Sequence, residues 1–251
     1  TDDIAGGQWV ESTMIESMNA GSKLEIVGGF NSCNDLAPNG GRTLIRGAQS
    51  GRAVLSIDGF ADIRLRDIAI EGGISSDESR PSSGIFFRGH GHLELASVTV
   101  SNHSDAGIMV AGRDGEALLD LGGGVDIADN RTSGIEARDL SVLKIRGDGN
   151  TIEGNNKGVL LVSPAIADIG ATGDVIVNNG VGLVVRGANS DVARTTRIYS
   201  TDPSNHLAIA GNMLGGIVLD TTGAPYRLCL KNVAIVENES AAIFASGLGS
   251  R

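Results

Sequence analysis

The sequence predicts an all-β fold, a right-handed parallel β-helix with three short strands in each coil of about 25 residues. The first observation behind this prediction is a tetrad, Ile-x-x-Asn, which recurs at intervals of 24–33 residues. The second is a short apolar run that follows each tetrad and begins with glycine or alanine. The third is the alternation of apolar and polar residues between the copies, which is typical of half-buried strands. The tetrads end at Asn130, Asn155, Asn179, Asn212 and Asn238.

Stacked coils place equivalent residues in ladders along the solenoid axis, about 4.8 Å apart. The Asn residues of the tetrads are predicted to form one such ladder, in which their side-chain amides bond to each other. Asn102 stands near the corresponding place of an earlier copy. A β-sandwich has a similar density of strands, but it rarely keeps one motif in phase over so many copies. A second ladder is predicted to be apolar and to point inwards, and it consists of Ile85, Ile108, Ile135, Val159, Leu183, Ile217 and Ile243.

The start of the chain is predicted to form a cap. In residues 8–19, apolar side chains recur every four residues and Gly21 follows, which is typical of a short amphipathic helix. The open strand edges at the end of a solenoid need such a cover. We therefore expect residues 1–22 to form an N-terminal cap segment and residues 23–251 to form the parallel β-helix. Three long loops are expected to project from the solenoid, at residues 30–42, 74–83 and 188–205.

The charge and the aromatic content of the chain limit the classes of molecule that it is expected to bind. Lys and Arg number 20, Asp and Glu number 30, and the formal net charge is −10. Such an acidic chain argues against nucleic acid and anionic membranes, since basic patches bind both. No apolar stretch is long enough for a transmembrane helix. The chain has 1 Trp and 2 Tyr, so it is also poor in the aromatic faces on which sugar-binding grooves stack their ligands.

A family resemblance is carried by residues 27–33, 41–47 and 63–73. These segments are similar to bacterial secreted right-handed β-helix repeat proteins, which include relatives of the polymorphic outer-membrane adhesins. The Gly-Gly-Ile triplets at 72–74 and 215–217 loosely resemble the short motifs of that adhesin group. The resemblance implies a pectin lyase-like fold and export to the periplasm, the cell surface or the medium. It implies no catalytic residues.

The alternative function is catalytic, because many β-helices are polysaccharide lyases, hydrolases or epimerases. The segment that begins at Tyr199 resembles the Tyr-x-x-Asp-Pro-His-Glu stretch of alginate C5-epimerases, in which Tyr, Asp and His transfer protons at C5 of the sugar. Tyr199 and Asp202 match that stretch, and Asp220 is a candidate second carboxylate, but Ser204 and Asn205 stand in place of His and Glu. The alternative prediction is therefore a lyase or C5-epimerase that acts on uronic-acid polymers in a groove near Tyr199 and Asp202. A polar loop with a turn at Asp-Pro explains the same residues.

Two carboxylates are weak candidates for a cation site. Glu94 and Asp120 are expected to point outwards from adjacent coils, about 4.8 Å apart, so that together they would bind Ca²⁺. A solvated polar face explains the pair equally well. No group of Cys and His has the spacing of a zinc site. No organic cofactor is expected.

The outward residues of the sheet that carries the inward ladder are mostly apolar, on a side that solvent should wet. A continuous strip of this kind marks a protein interface, although a loop folded over it or a register error of one residue would remove it. We expect the chain to be an exported, non-catalytic scaffold or adhesin-like module that acts through protein–protein contact or self-association along this strip. The predicted interface residues are Phe86, Met109, Leu160, Val184, Val218 and Phe244.

Overall fold

The chain forms a parallel β-solenoid of about 7 turns, with about 26 residues in each turn. The structure, a computed structural model, describes residues 9–10, 13–16, 18–19, 21–32, 34–47, 53–72, 82–162, 164–187, 194–202, 204–220 and 226–246. These residues are all-β and contain no helix, and the predicted β-helix is confirmed. In chain order the strands are β1 (Trp9–Val10), β2 (Thr13–Ile15), β3 (Leu24–Val27), β4 (Thr43–Gly47), β5 (Leu55–Gly72), β6 (Ile85–Ser101), β7 (Ile108–Gly123), β8 (Asp126–Ala128), β9 (Ser133–Arg146), β10 (Thr151–Glu153), β11 (Lys157–Val162), β12 (Ile166–Ala171), β13 (Gly173–Val177), β14 (Val181–Arg186), β15 (Arg194–Ser200), β16 (Leu207–Ala210), β17 (Gly215–Asp220), β18 (Tyr226–Lys231), β19 (Val233–Val236) and β20 (Ala241–Ser246).

The strands of successive turns stack in parallel into three sheets. Sheet 1 contains β2, β5, β6, β7, β9, β11, β14, β17 and β20. Sheet 2 contains β3, β5, β6, β7, β9, β12, β15 and β18. Sheet 3 contains β1, β4, β5, β6, β8, β10, β13, β16 and β19. The long strands β5 and β6 pass through all three sheets, so the chain bends at the corners without leaving the strand conformation.

The core lies inside the solenoid and is built on the predicted apolar ladder. In sheet 1, Ile85 pairs with Ile108 and the same column continues to Ile217 and Ile243. The column is fully buried from Ile85 to Ile217, whereas Ile243 in the last strand is 45% exposed. Burial of one such side chain contributes about 1.5–3 kcal/mol. The inward columns of the three sheets are therefore the main source of stability.

The Asn ladder is also confirmed, at the corner between sheets 3 and 1. The backbone N–H and the Nδ2 of Asn130 both donate to Oδ1 of Asn155 on the next turn, at 2.9 and 3.0 Å. The Nδ2 of Asn155 also donates to the carbonyl oxygens of Ile127 at 3.1 Å and Glu153 at 2.7 Å. The rungs from Asn130 to Asn212 are buried. The ladder thus satisfies polar groups that the corner removes from water.

A column of glycines faces this ladder, because the neighbouring Ile and Asn side chains and the backbone of the next turn together leave no room for a Cβ. A Cβ on Gly134 would lie 2.6 Å from Cγ2 of Ile152 and 3.0 Å from Nδ2 of Asn155, which ends the same coil. Contacts shorter than about 3.0 Å require the neighbours to move. The glycine and Asn columns therefore depend on each other. An added Cβ would come similarly close to the Asn of the same coil at four further glycines: Gly107, Gly158, Gly182 and Gly216.

The rung before Asn130 is His103, the residue directly after Asn102. Val100 pairs with Ile127, which puts His103 in the column of Asn130. The backbone N–H of His103 donates to Oδ1 of Asn130 at 3.2 Å, as an Asn rung would. Asn102 instead holds the position before the rung, with φ of +62°, a conformation that Asn, Asp and Gly adopt most readily. The equivalent left-handed residues are Asp129, Gly154, Asn178, Gly211 and Glu237.

The predicted N-terminal helix is wrong for the described part of residues 9–19. β1 pairs with β4 in sheet 3, and β2 pairs with β5 in sheet 1. Met14 is 61% exposed while Ile15 packs against the core, which is the alternation of a strand. The edge of β5 offers a complete set of backbone hydrogen-bond partners. This pairing overrides the four-residue spacing of the apolar side chains.

The predicted loops are only partly loops. Over residues 194–200 the prediction is wrong, because β15 adds a strand to sheet 2. Residues 188–193 and 73–81 lie outside the described residues. The segment 30–42 does leave the solenoid, but its start is tied back by a hydrogen bond of 2.9 Å from the N–H of Gly29 to Oγ1 of Thr43.

Candidate functional site

Two of the predicted catalytic residues lie close together, Tyr199 in β15 of sheet 2 and Asp202 in the turn that follows it. Tyr199 is half-buried in β15 and its ring lies against Gly170, where a Cβ would be 2.6 Å from Cζ of the tyrosine. Asp202 is exposed in the following turn, and its Oδ1 accepts hydrogen bonds from the N–H of Ser204 at 2.8 Å and from its hydroxyl at 2.7 Å. These bonds lower the pKa of Asp202. The carboxylate is thus held in its ionised form and is a poor proton donor.

The third predicted catalytic residue, Asp220, is not brought to the same place. Asp220 ends β17 in sheet 1, in register with Arg186. Tyr199 pairs with Lys231, the last residue of β18 in sheet 2. Since β18 begins at Tyr226, about five residues of strand, or roughly 16 Å, separate the start of sheet 2 from the column of Tyr199. The structure therefore does not bring Asp220 to the tyrosine.

The two candidate calcium ligands do lie side by side. Glu94 and Asp120 are in register on adjacent turns of sheet 2. However, Nε of Arg64 lies 3.3 Å from Oε1 of Glu94, and Lys144 follows Asp120 in the same column. On the other side, Nε2 of His92 lies 3.9 Å from Oδ2 of Asp120. In the ranges that the structure describes, no cluster of three or more His, Cys, Asp or Glu is placed to hold a metal ion.

The apolar strip on the outer side of sheet 1 is not evenly exposed. Leu160 and Val184 are only 5% and 6% exposed, so the chain itself covers the middle of the strip. Phe244, in the last strand, is 53% exposed. Solvent therefore reaches the strip chiefly at its C-terminal end. The half-buried members are Phe86, Met109 and Val218.

Exposed apolar side chains concentrate on the C-terminal turns. Of the ten large apolar side chains that are exposed among the described residues, six lie between residues 213 and 244. By contrast, Leu140 is the one large apolar side chain that is exposed among the described residues of 82–187. A concentration of exposed apolar side chains on neighbouring turns is a candidate interaction site. We call it the C-terminal apolar patch, and it consists of Met213, Leu214, Leu230, Val236, Ile243 and Phe244.

Two members of the patch expose the end of the core. Ile243 continues the inward column of sheet 1 after the buried Ile217. Leu230, 39% exposed, continues an inward column of sheet 2 after the buried Ile198. Both side chains point into the solenoid, but no strand of the described residues stacks on the outer edges of β18 or β20. Their exposure thus comes from their position on the last described strands.

The side-facing members are held by a well-paired backbone. Met213 and Leu214, 56% and 65% exposed, follow a ladder Asn at the corner between sheets 3 and 1. Their N–H groups donate to the carbonyl oxygens of Asn179 at 2.9 Å and Gly180 at 2.7 Å on the preceding turn. Val236 is 46% exposed at the same corner of the next turn. The corner therefore presents these side chains from a fixed position.

Comparison of the chain with protein-family models, with curated proteins and with solved structures found no match. No helix with the length and apolarity to cross a membrane occurs among the residues that the structure describes. The fold and the surface together define a class: a parallel β-solenoid, built on Gly and Asn columns, that exposes an apolar patch on its last turns.

Proposed function

We propose that this chain is a non-catalytic β-solenoid scaffold that acts through protein–protein contact at its C-terminal apolar patch, with a second copy of the chain as the partner. The observation that carries the proposal is the clustering of six exposed apolar side chains on the last turns. Covering such a surface removes apolar area from water and so favours association. The rest of the solenoid would then serve to hold this surface rigidly.

The open strand edges support a second copy as the partner. The outer edges of β18, β19 and β20 pair with no strand among the described residues. Exposed edges carry backbone N–H and C=O groups that another strand edge can pair. A two-fold axis would place the same patch and the same edges of two copies against each other, which is the commonest symmetry of soluble oligomers. Apolar contact and edge pairing would thus be made at once.

The test is the molar mass of the purified chain by light scattering, compared with the double variant Leu214→Glu plus Phe244→Glu. We expect the wild type to be dimeric at micromolar concentration and the double variant to be a folded monomer. Leu140→Glu is the matched control, because Leu140 is 44% exposed but lies outside the patch. A wild type that stays monomeric at high concentration, or a dimer that survives the double substitution, contradicts the proposed contact.

We propose in addition that the scaffold is an exported, adhesin-like module of bacterial origin. The support for this part is the resemblance of residues 27–33, 41–47 and 63–73 to secreted bacterial β-helix repeat proteins. Fractionation of the cells of origin, with an antibody raised against this chain, tests the proposal. Signal in the periplasm, on the surface or in the medium is expected. Signal confined to the cytoplasm contradicts it.

A further inference from the structure

His103 begins the ladder of side chains that joins successive corners. The Nε2 atom of its ring lies 3.2 Å from the carbonyl oxygen of Ile70 on the preceding turn. This contact replaces the one that an Asn rung makes through Nδ2, since Nδ2 of Asn155 donates to Ile127 in the equivalent position. The ring fits because the facing residue is Gly84, where a Cβ would lie 2.6 Å from Nε2. In this rung, the imidazole thus makes the contact to a backbone carbonyl that an Asn side-chain amide makes in the others.

The contact fixes which ring nitrogen carries the proton. A carbonyl oxygen only accepts, so Nε2–H must donate to Ile70, and Nδ1 of the neutral ring carries the lone pair. Nδ1 of His103 is buried and has no hydrogen-bond partner among the described residues. A second proton would have to enter at Nδ1. It would bring a positive charge and an unpaired N–H into a site that is 2% exposed. An amide rung has no such second state.

The charged residues around this corner either form hydrogen bonds or ion pairs with other residues, or lie beside the rung in sequence. In the same turn, Asp105 accepts hydrogen bonds from the hydroxyls of Ser83 at 3.3 Å and Thr132 at 3.0 Å. On the preceding turn, Glu71 follows Ile70 and its carboxylate lies 3.5 Å from Arg46. On the next turn, Asp129 and Arg131 flank the Asn rung. Within the described ranges, these groups offer no buried acceptor for an Nδ1–H.

We infer that His103 makes the first rung of the ladder acid-sensitive: a second proton on its ring opens the corner between the turn of Ile70 and the turn of Asn130, while the Asn rungs that follow stay closed. The device would loosen the N-terminal turns selectively in a mildly acidic environment. It is independent of the patch contact proposed above, since several turns of the solenoid lie between His103 and Met213, the first residue of the patch.

The direction of the pH effect follows from burial. Burial lowers the pKa of His103 from 6.5 to about 4. Between these values the open state binds a proton that the closed state does not. Closure is therefore fully stable above pH 6.5 and weakens as the pH falls towards 4. A single proton changes the opening equilibrium by at most about tenfold for each pH unit in this window.

The test is hydrogen exchange followed by mass spectrometry on wild type and on His103→Asn, each measured from pH 7 down to about pH 4.5. His103→Asn supplies an ordinary amide rung, and His206→Asn is the control because His206 is exposed. In wild type and in the control, peptides that cover residues 99–107 should lose protection relative to the His103 variant, approaching tenfold for each pH unit. Peptides that contain Asn155 or Asn179 should not change.

An equal pH dependence in wild type and in the His103 variant overturns the inference. So does a loss of protection that is uniform along the chain. If His103→Asn fails to fold, the ring protons of His103 in the wild type can be followed by NMR instead. Titration of this ring near pH 6.5 overturns the inference, and titration close to pH 4 supports it.

Discussion

The guanidinium of Arg42 donates a hydrogen bond of 3.0 Å from Nη2 to the carbonyl oxygen of Gly124, a residue 82 positions later in the chain. Its Nε donates to the carbonyl oxygen of Ser97 at 3.0 Å, and Nη1 contacts the hydroxyl of Thr99. These partners lie at the corners between sheets 2 and 3 on later turns. Arg42 thus anchors the segment at 30–42 to the solenoid. It also links turns that are 55–82 residues apart in the sequence.

Replacing Arg42 by alanine should destabilise the fold by about 1–2 kcal/mol, because three hydrogen bonds from a charged donor are lost. It should also raise the pKa of Asp126. Burial already raises that pKa, and the positive charge of Arg42 opposes the effect. Arg42→Lys is the control, since it keeps the charge without the planar set of donors. Urea unfolding and a carbon-13 NMR titration of Asp126 measure the two effects. An unchanged Asp126 titration in Arg42→Ala would show that the charge acts elsewhere.

Asn155→Ala should cost about 2–4 kcal/mol, because it removes the acceptor of the N–H and of one Nδ2 hydrogen bond of Asn130, and the side-chain donor to the carbonyl of Ile127, in a buried corner. Asn156→Ala is the matched control, since Asn156 is exposed one residue further on. Equilibrium denaturation gives both values. Similar stability of the two variants would mean that the ladder contributes little.

Gly134→Ala should also be destabilising, by about 1–3 kcal/mol, since the added methyl group meets the side chain of Ile152 at 2.6 Å and the carbonyl oxygen of Gly158 at 2.8 Å. The control is Gly41→Ala, where a Cβ has no neighbour within 4 Å. The control should stay within about 0.5 kcal/mol of wild type. Thermal unfolding of the two variants separates the steric effect from the general effect of replacing a glycine.

Substitution by glutamate should lower the stability of the fold in the middle of the apolar strip but not at its C-terminal end. Leu160→Glu places a charge where the chain leaves 5% of the side chain exposed, and a loss on the order of 3 kcal/mol is expected. Phe244→Glu changes a residue that is 53% exposed and should leave the melting temperature of the monomer nearly unchanged. Calorimetry at low protein concentration measures both. Equal losses would mean that Phe244 is also covered by its own chain.

A pair of hydroxyls on neighbouring strands of sheet 2 predicts a loss of stability in alkali. The hydroxyls of Thr196 and Tyr226 bond to each other, and the N–H of Ala167 donates to Oγ1 of Thr196 at 3.0 Å. Burial raises the pKa of Tyr226 to about 12. The folded state therefore keeps a proton that the unfolded state loses above pH 10, so stability falls as the pH rises from 10 to 12. Tyr226→Phe should remove this part of the pH dependence, and denaturant titrations at several alkaline pH values will show whether it does.

The repeated part of the fold could be predicted from the sequence because each coil states the same constraints again. A glycine at which a Cβ would crowd an Asn side chain recurs in the same frame on successive coils, as Gly134 does beside Asn155. His103 was missed because it breaks the motif, although counting three residues on from Val100, as from Ile127 to Asn130, would have found it. The spacing of apolar residues predicts a helix where β1 and β2 lie, because local spacing does not depend on a strand edge elsewhere in the chain.

The surface could be predicted less well. The alternation in sheet 1 correctly put Leu160 and Val184 on the outer side, but no local pattern shows that the chain covers them. The exposure of Ile243 likewise depends on its position in the last described turn and not on its neighbours in sequence. Arg42 carried no signal at all, because its partners are 55–82 residues away. Contacts of this kind follow from stacking, which the sequence determines only as a whole.

The contact between Gly134 and Asn155 has a consequence for how the length of the protein can change. Both residues belong to one coil, the glycine at its start and the Asn at its end, and Gly158 and Asn179 repeat the arrangement. Removing residues 156–179 would join Asn155 to Gly180 and still leave each remaining glycine against the Asn of its own coil. A coil is therefore a unit of insertion and deletion. The rod can become longer or shorter in whole coils while each corner keeps its partner.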